Sequence, residues 1–283
     1  MQQQKRIAAI HDISGVGRCS LTVALPILSA AGFDCGVLPT AVLSTHTGGF
    51  TGFTYRDLTD DIAPIAAHWQ SLDLKFDALY SGFLGSVGQI ALLADLFKTF
   101  KTDDNLVLVD PVMADNGELY AIYTPDMAQG MARLCAQADA VVPNITEASL
   151  ILGEKYVEGP YDKPFIEGML RRLAALGPKK VVLTGVALDD ATLGAAAFDS
   201  ATGDISYAFT PRIDGYFHGT GDVFGSVLLS GMLHELSLAD AAKLAVETTY
   251  DCIVKTVEAK QELRYGVCFE RALPGMMKRL GLI

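Results

Sequence analysis

Along the chain, short runs of apolar and β-branched residues alternate with longer segments in which apolar residues recur every three or four positions. Short runs suit buried strands and the longer spacing suits amphipathic helices, so the alternation predicts βαβ units around a mostly parallel sheet. Strands are predicted near residues 6–10, 35–38, 78–80, 106–109, 140–142 and 181–183, and helices over 20–31, 87–100, 125–137, 165–176 and 223–233. Two β-rich runs, 192–198 and 205–209, flank a short turn ending in Gly203 and predict an antiparallel hairpin at the sheet edge. Trp69 falls on a further amphipathic segment and is assigned to the core. Residues 44–56 are rich in Thr, Gly and aromatics and lack helical period, which fits either an ordinary loop or a small flap inserted after the second strand.

The chain has 283 residues, half of them hydrophobic, enough for a large core. Neither a low-complexity linker nor an internal repeat divides it, so the expectation is one α/β domain over 1–283. Lys and Arg total 22 against 33 Asp and Glu, a net charge of −11, and no basic run exceeds two residues. A groove that tracks nucleic acid needs clustered cations, so nucleic acid is not an expected partner. An acidic protein that handles an anion must use backbone N–H groups, helix N-termini or a metal ion instead. The five cysteines are widely spaced and form no C-x-x-C pair, as in reduced cytosolic proteins. The apolar stretch after Lys5 and Arg6 stops at His11 and Asp12, too short for a signal-peptide core, and no run approaches a membrane span. A cytoplasmic protein without membrane partners is expected.

Polar residues recur where predicted strands end: Asp12, Ser81, Asp110, Asn144 and Thr184, with Asp222 opening the late helix. In an open parallel sheet the strand carboxyl ends share one edge, so these residues converge on one crevice. Wet loops alone would explain any single position, but not as readily the recurrence. The sharpest local signal is Gly219-Thr220-Gly221-Asp222 ahead of an apolar helix. Successive N–H groups in such a turn, with the positive end of the helix dipole, suit a phosphate oxygen, and the adjacent carboxylate suits a base that takes a proton from an attacking hydroxyl. Asp110 and Glu147 could supply oxygen ligands for Mg²⁺, while Glu147 with Asn144 also reads as a helix capping box. His46 in the flap segment could hydrogen-bond and stack on a heteroaromatic ligand. The remaining histidines show no metal-ligand spacing. There is no G-x-x-x-x-G-K-[ST] motif; a dinucleotide fingerprint from Gly219 fails at Phe224, and one from Gly15 fails at Ser20.

Seven pieces in order resemble the pyridoxal kinase family of the ribokinase-like superfamily: residues 11–17, 44–48, 81–85, 110–113, 143–147, 182–184 and 219–222. The resemblance spans nearly the whole chain. It implies a ribokinase-like domain with a central mostly parallel sheet, a flap over the substrate at 44–56 and usually a homodimer. It implies ATP-dependent phosphorylation of the hydroxymethyl group of a small vitamin B6 vitamer, serving salvage to pyridoxal 5′-phosphate, with Mg²⁺ accompanying ATP and a monovalent cation left open. By the resemblance, Asp222 is the base and Gly219, Thr220 and Gly221 form the anion hole. Asp12, His46, Thr47 and Ser81 contact the vitamer; Asp110, Tyr123, Asn144 and Thr184 contact ATP; Asp110 and Glu147 serve the metal. Asp12 stands where some family members carry Ser, which raises a cationic ring or pyridoxamine as the preferred substrate. The neighbouring hydroxymethylpyrimidine kinases resemble the opening and closing motifs but commonly carry Cys at the position of Asp222. A non-catalytic binder of a phosphorylated vitamin is a third reading, against which the carboxylate beside a phosphate site argues.

Overall fold

The computed structural model describes residues 4–120 and 122–283. In chain order its elements are β1 (Arg6–Ser14), α1 (Leu21–Ala30), β2 (Asp34–Leu43), β3 (Tyr55–Asp57), α2 (Thr59–Ser71), β4 (Ala78–Ser81), α3 (Val87–Phe100), β5 (Leu106–Val109), β6 (Ala114–Asp115), β7 (Glu118–Leu119), α4 (Pro125–Cys135), β8 (Ala140–Val141), α5 (Ile145–Leu152) and α6 (Lys163–Ala174). They continue with β9 (Lys180–Val186), β10 (Thr192–Asp199), β11 (Asp204–Pro211), α7 (Thr220–Leu233), α8 (Leu238–Glu258) and α9 (Leu273–Arg279). Nine strands form one sheet in the order β11-β10-β9-β8-β5-β4-β1-β2-β3, and β6 and β7 form a separate small hairpin. The six strands from β9 to β2 run parallel, whereas β3, β10 and β11 add antiparallel edges. The predicted hairpin is present, with Asp199 paired to Asp204.

Each sheet face carries its own core. Residues of α2 to α6 pack on one face, among them Ile62, Leu93, Met131 and Leu170, and residues of α1, α7 and α8 pack on the other, among them Ile27, Val227 and Ala245. Strands covered on both faces read as continuous apolar runs, which is why the central strands were legible in the sequence. Trp69 joins the first core, its ring 5.3 Å from that of Phe76. Because β2 lies on one side of β1 and β4 on the other, the chain reverses its winding direction between them. A crevice opens at such a switch point, outside the strand carboxyl ends.

Two predicted boundaries move. β1 runs four residues beyond Ile10, so Asp12 lies inside the strand rather than after it. Its register against β2 shifts between His11 and Ile13, where β2 carries one extra residue. Bulges bend strands and re-aim side chains, and they concentrate beside functional sites. The late helix begins at Thr220 rather than Val223, so the glycine turn is itself the helix end. In the flap segment, the chain after Leu43 loops out and returns as β3, antiparallel to β2. Among the described residues no helix is long and apolar enough to cross a membrane, and all five cysteines are free.

Candidate active site

Gly219 is the N-cap of α7 at φ 77°, and a Cβ there would lie 2.0 Å from the Arg18 carbonyl oxygen, so only glycine fits this close approach. The first intrahelical bond runs from Val223 N–H to Gly219 C=O at 3.0 Å. The N–H groups of Thr220, Gly221 and Asp222 therefore have no intrahelical acceptor. The Thr220 hydroxyl donates to Phe217 C=O at 3.0 Å and closes the turn. A Cβ on Gly221 would meet nothing within 4 Å, so the space before this helix end is open to a ligand. Asp222 is half-buried in the first turn, and burial pushes its carboxyl up to about 7, against the Ser20 backbone N–H that stabilises its charge. A carboxylate tuned toward neutrality suits a general base.

Asp12 is buried, and burial raises its pKa against two hydroxyls that stabilise the charge. One oxygen accepts the Ser20 hydroxyl and the other accepts Ser14 Oγ–H at 3.1 Å. Ser20 was legible only as an ordinary polar residue before a helix; nothing in sequence betrayed its bond to Asp12.

On the opposite side, Glu147 completes the expected capping box: Asn144 Oδ1 accepts Glu147 N–H at 2.9 Å and Glu147 Oε2 accepts Asn144 N–H at 2.9 Å. Its other oxygen accepts Met113 N–H at 3.0 Å, and the Asn144 amide donates to Ala114 C=O at 2.8 Å. Both side chains are thus bound to backbone, and Asn144 shapes the floor of the site rather than presenting a free donor. Thr184 neighbours Asn144 through a parallel bridge between β9 and the strand end at Asn144, with its N–H bonded to Pro143 C=O at 3.0 Å. Burial pushes Glu147 up to about 7 and holds Asp110 well above the usual carboxylate range, with Glu147 and then Asp222 adding repulsion. Crowded buried carboxylates fit a cation that relieves their repulsion. No cluster of three or more His, Cys, Asp or Glu side chains is poised for a metal among the described residues. Mg²⁺ needs none, since it keeps waters and phosphate oxygens and takes one or two carboxylates.

His46 is buried, its Nδ1 accepting Gly48 N–H at 3.1 Å and its Nε2 lying 2.6 Å from Arg264 C=O. The first bond makes Nδ1 an acceptor, so Nε2 carries the hydrogen. His46 therefore pins the flap, with Phe50 and His218 rings 5.0 and 4.9 Å away, while Thr47 is exposed at the tip.

Two further expected site residues are enclosed by the protein. Tyr123, expected over the phosphates, is 7% exposed in the core, and its hydroxyl accepts Leu84 N–H at 3.4 Å, because a turn bonded from Tyr123 N–H to Tyr120 C=O directs it inward. Ser81, expected at the substrate, is fully buried because β4 is a central strand flanked by β1 and β5. Its hydroxyl finds no partner among the described residues; nor do those of Tyr80 and Ser226 or the two ring nitrogens of His11.

A doubly covered parallel sheet with a carboxylate at a glycine-led helix end and a second carboxylate pair, Asp110 and Glu147, close by at the strand ends defines a small-molecule kinase of the ribokinase-like class. The family described as phosphomethylpyrimidine kinase matches residues 29–265. The chain is similar over 97% of its length, at 37% identity and TM-score 0.93, to 96% of a Bacteroides thetaiotaomicron protein provisionally described as a phosphomethylpyrimidine kinase and solved with pyridoxal. Pyridoxal kinase from Lactobacillus plantarum shares 31% identity, TM-score 0.89 and 98% of each chain. A Bordetella avium pyridoxine/pyridoxal/pyridoxamine kinase is 29% identical over 239 residues, 80% of this chain and 77% of its own. The chain belongs to the phosphomethylpyrimidine kinase family and, within the ribokinase-like superfamily, to its pyridoxal kinase branch.

Proposed function

We propose that this enzyme transfers the γ-phosphoryl group of ATP to the hydroxymethyl group of vitamin B6 vitamers, as a salvage step toward pyridoxal 5′-phosphate. The observation that carries the reading is Asp222 beside an open helix end whose N–H groups lack acceptors. The solved relative with pyridoxal and the named B6 kinases support the substrate class. In this reading Asp222 takes the hydroxyl proton as the substrate oxygen forms its bond to the γ-phosphorus and the bond to the β–γ bridging oxygen breaks, ADP leaving with that oxygen. The N–H groups of Thr220 and Gly221 meet the charge on the transferred phosphoryl oxygens, where fixed donors cost no reorganisation. Asp110, backed by Glu147, would hold Mg²⁺, which neutralises phosphate charge when bound. Thr184 and Asn144 flank the phosphates, and His46 and Thr47 hold the flap against the ring. We read the chain as one cytoplasmic domain working as a homodimer.

The family's name favours a second substrate, hydroxymethylpyrimidine, and Asp222 argues against it. ATP- and Mg²⁺-dependent turnover of pyridoxal, pyridoxine, pyridoxamine and hydroxymethylpyrimidine separates the two. The expected result is a B6 vitamer as best substrate and a loss of roughly a hundredfold or more in kcat for Asp222→Asn with ATP binding retained. Preference for the pyrimidine would move the assignment to the neighbouring branch.

A further inference from the structure

Ser20 is the N-cap of α1, where a serine ordinarily accepts a hydrogen bond from the second or third helical N–H. Here it makes no such cap, and its backbone stands at φ 56°, ψ −133°. A residue with a Cβ rarely adopts that conformation, and the bias against it is roughly ten- to a hundredfold. Something outside the helix must hold it. The Ser20 hydroxyl donates instead to Asp12, a buried side chain on β1 facing the β2 bulge. The other Asp12 oxygen accepts the Ser14 hydroxyl, so both oxygens are engaged by the protein's own side chains. Ser20 also pairs with Ile13 of β1 through an isolated antiparallel bridge, which sets the turn against the strand. The same turn is packed on the helix end, since the Arg18 carbonyl stands where a Gly219 Cβ would be. A shift in Ser20 would thus reach both the base and the anion hole.

We propose that Asp12 is a positioning residue: by accepting the Ser20 hydroxyl it holds Ser20 in this left-handed conformation, which keeps the turn at residues 18–20 seated on the Gly219 helix end that carries Asp222. The proposal rests on Asp222 being the base. It gives Asp12 a role separate from the expected contact with the pyridine nitrogen.

The test compares kcat and KM for pyridoxal, ATP affinity and thermal melts for Asp12→Ala, Ser20→Ala, Ser20→Gly and the double variant Asp12→Ala/Ser20→Gly. Misplacing a catalytic group by about 1 Å costs on the order of a hundredfold, so Asp12→Ala and Ser20→Ala should lose roughly ten- to a hundredfold in kcat with little change in KM or ATP affinity. Glycine reaches the conformation without an anchor. Ser20→Gly should therefore exceed Ser20→Ala by about tenfold, and the double variant should exceed Asp12→Ala by a similar factor. A purely structural role would separate glycine from alanine in the melts but leave their kcat values alike. A double variant no better than Asp12→Ala, or Ser20→Gly no better than Ser20→Ala, overturns the proposal, as does a raised pyridoxal KM in Asp12→Ala as the main effect, which would mean direct contact with the ring. Should Asp12→Ala fail to fold, the Ser20 pair decides alone. Asp222→Asn is run in parallel; full activity there would sink the base assignment, while the Ser20 comparison would still report the geometry of the turn.

Discussion

The two sides of the crevice both present buried acidic groups, yet they are built in opposite ways. Around Glu147 every carboxylate oxygen is answered by a backbone N–H, and the neighbouring Asn144 is equally committed. Around Asp222 the helix end keeps three N–H groups without intrahelical partners, and a Cβ on Gly221 would meet no atom within 4 Å. The first side spends its polar groups on holding residues 113–114 to residues 144–147, the second leaves them for a ligand. A carboxylate is therefore not a site by virtue of being buried and acidic; what matters is which of its partners the protein itself supplies.

The widest break in this comparison comes from Glu147. Glu147→Ala strips acceptors from the buried N–H of Met113 and the half-buried N–H of Asn144, the buried one worth about 1–3 kcal/mol when orphaned. Thermal melts should show it as the most destabilised single variant of the site, with Glu147→Gln in between because one oxygen remains. An Ala variant that melts like the wild type and loses only Mg²⁺ dependence would move Glu147 to the ligand-facing side.

Two glycines sharpen the contrast within the helix end. Gly219→Ala places a Cβ against the Arg18 carbonyl at φ 77° and should lower stability by about 1–3 kcal/mol. Gly221→Ala meets no protein atom, so it should melt normally while kcat falls, because the methyl enters the space offered to the phosphoryl group. Equal melting temperatures for the two would mean that both glycines serve the ligand alone.

The smaller effects concern protons. Asp222 acts as a base only when ionised, so kcat/KM should rise with pH through about 7, the range to which burial pushes its carboxyl. The same shift has a stability sign. A carboxyl whose pKa is raised on folding binds its proton more tightly in the native state, so its ionisation destabilises the fold as pH climbs from about 4 through 7. Asp222→Asn should melt roughly 2–4 °C above wild type at pH 8, the shift made by about 1 kcal/mol in a chain of this size, and the gain should vanish near pH 4. An unchanged melting temperature at pH 8 would show that solvent relieves the charge and that Asp222 is less enclosed than its helix position suggests.

Legibility differed by region for physical reasons. Central strands and the helices covering them announce themselves because burial on two faces demands continuous apolar runs and on one face a helical period. The Asn144–Glu147 capping box was readable because both partners lie within one helical turn. The glycine turn before α7 was readable for the same reason. Tyr123 was not: its motif placed it correctly in the chain, but whether a ring faces the crevice or the core depends on the turn at Tyr120. Ser81 does end its strand, as the pattern indicated, but only the strand order reveals that β4 sits mid-sheet and buries the hydroxyl. His46 was found, but its bond to Arg264 joins residues 218 positions apart, and no local pattern records it.

By itself, then, the sequence determined the βαβ alternation, the acidic balance that forces phosphate onto backbone donors, and the glycine-led helix end with its carboxylate, because each is encoded by neighbours in the chain. Only the tertiary structure decided how those carboxylates are used. Asp12 meets Ser20 across a left-handed turn, Glu147 meets Met113 across the crevice floor, and His46 meets Arg264 across the flap. The partners of a hydrogen bond between distant segments are chosen by strand order and backbone conformation, neither of which residue type alone specifies.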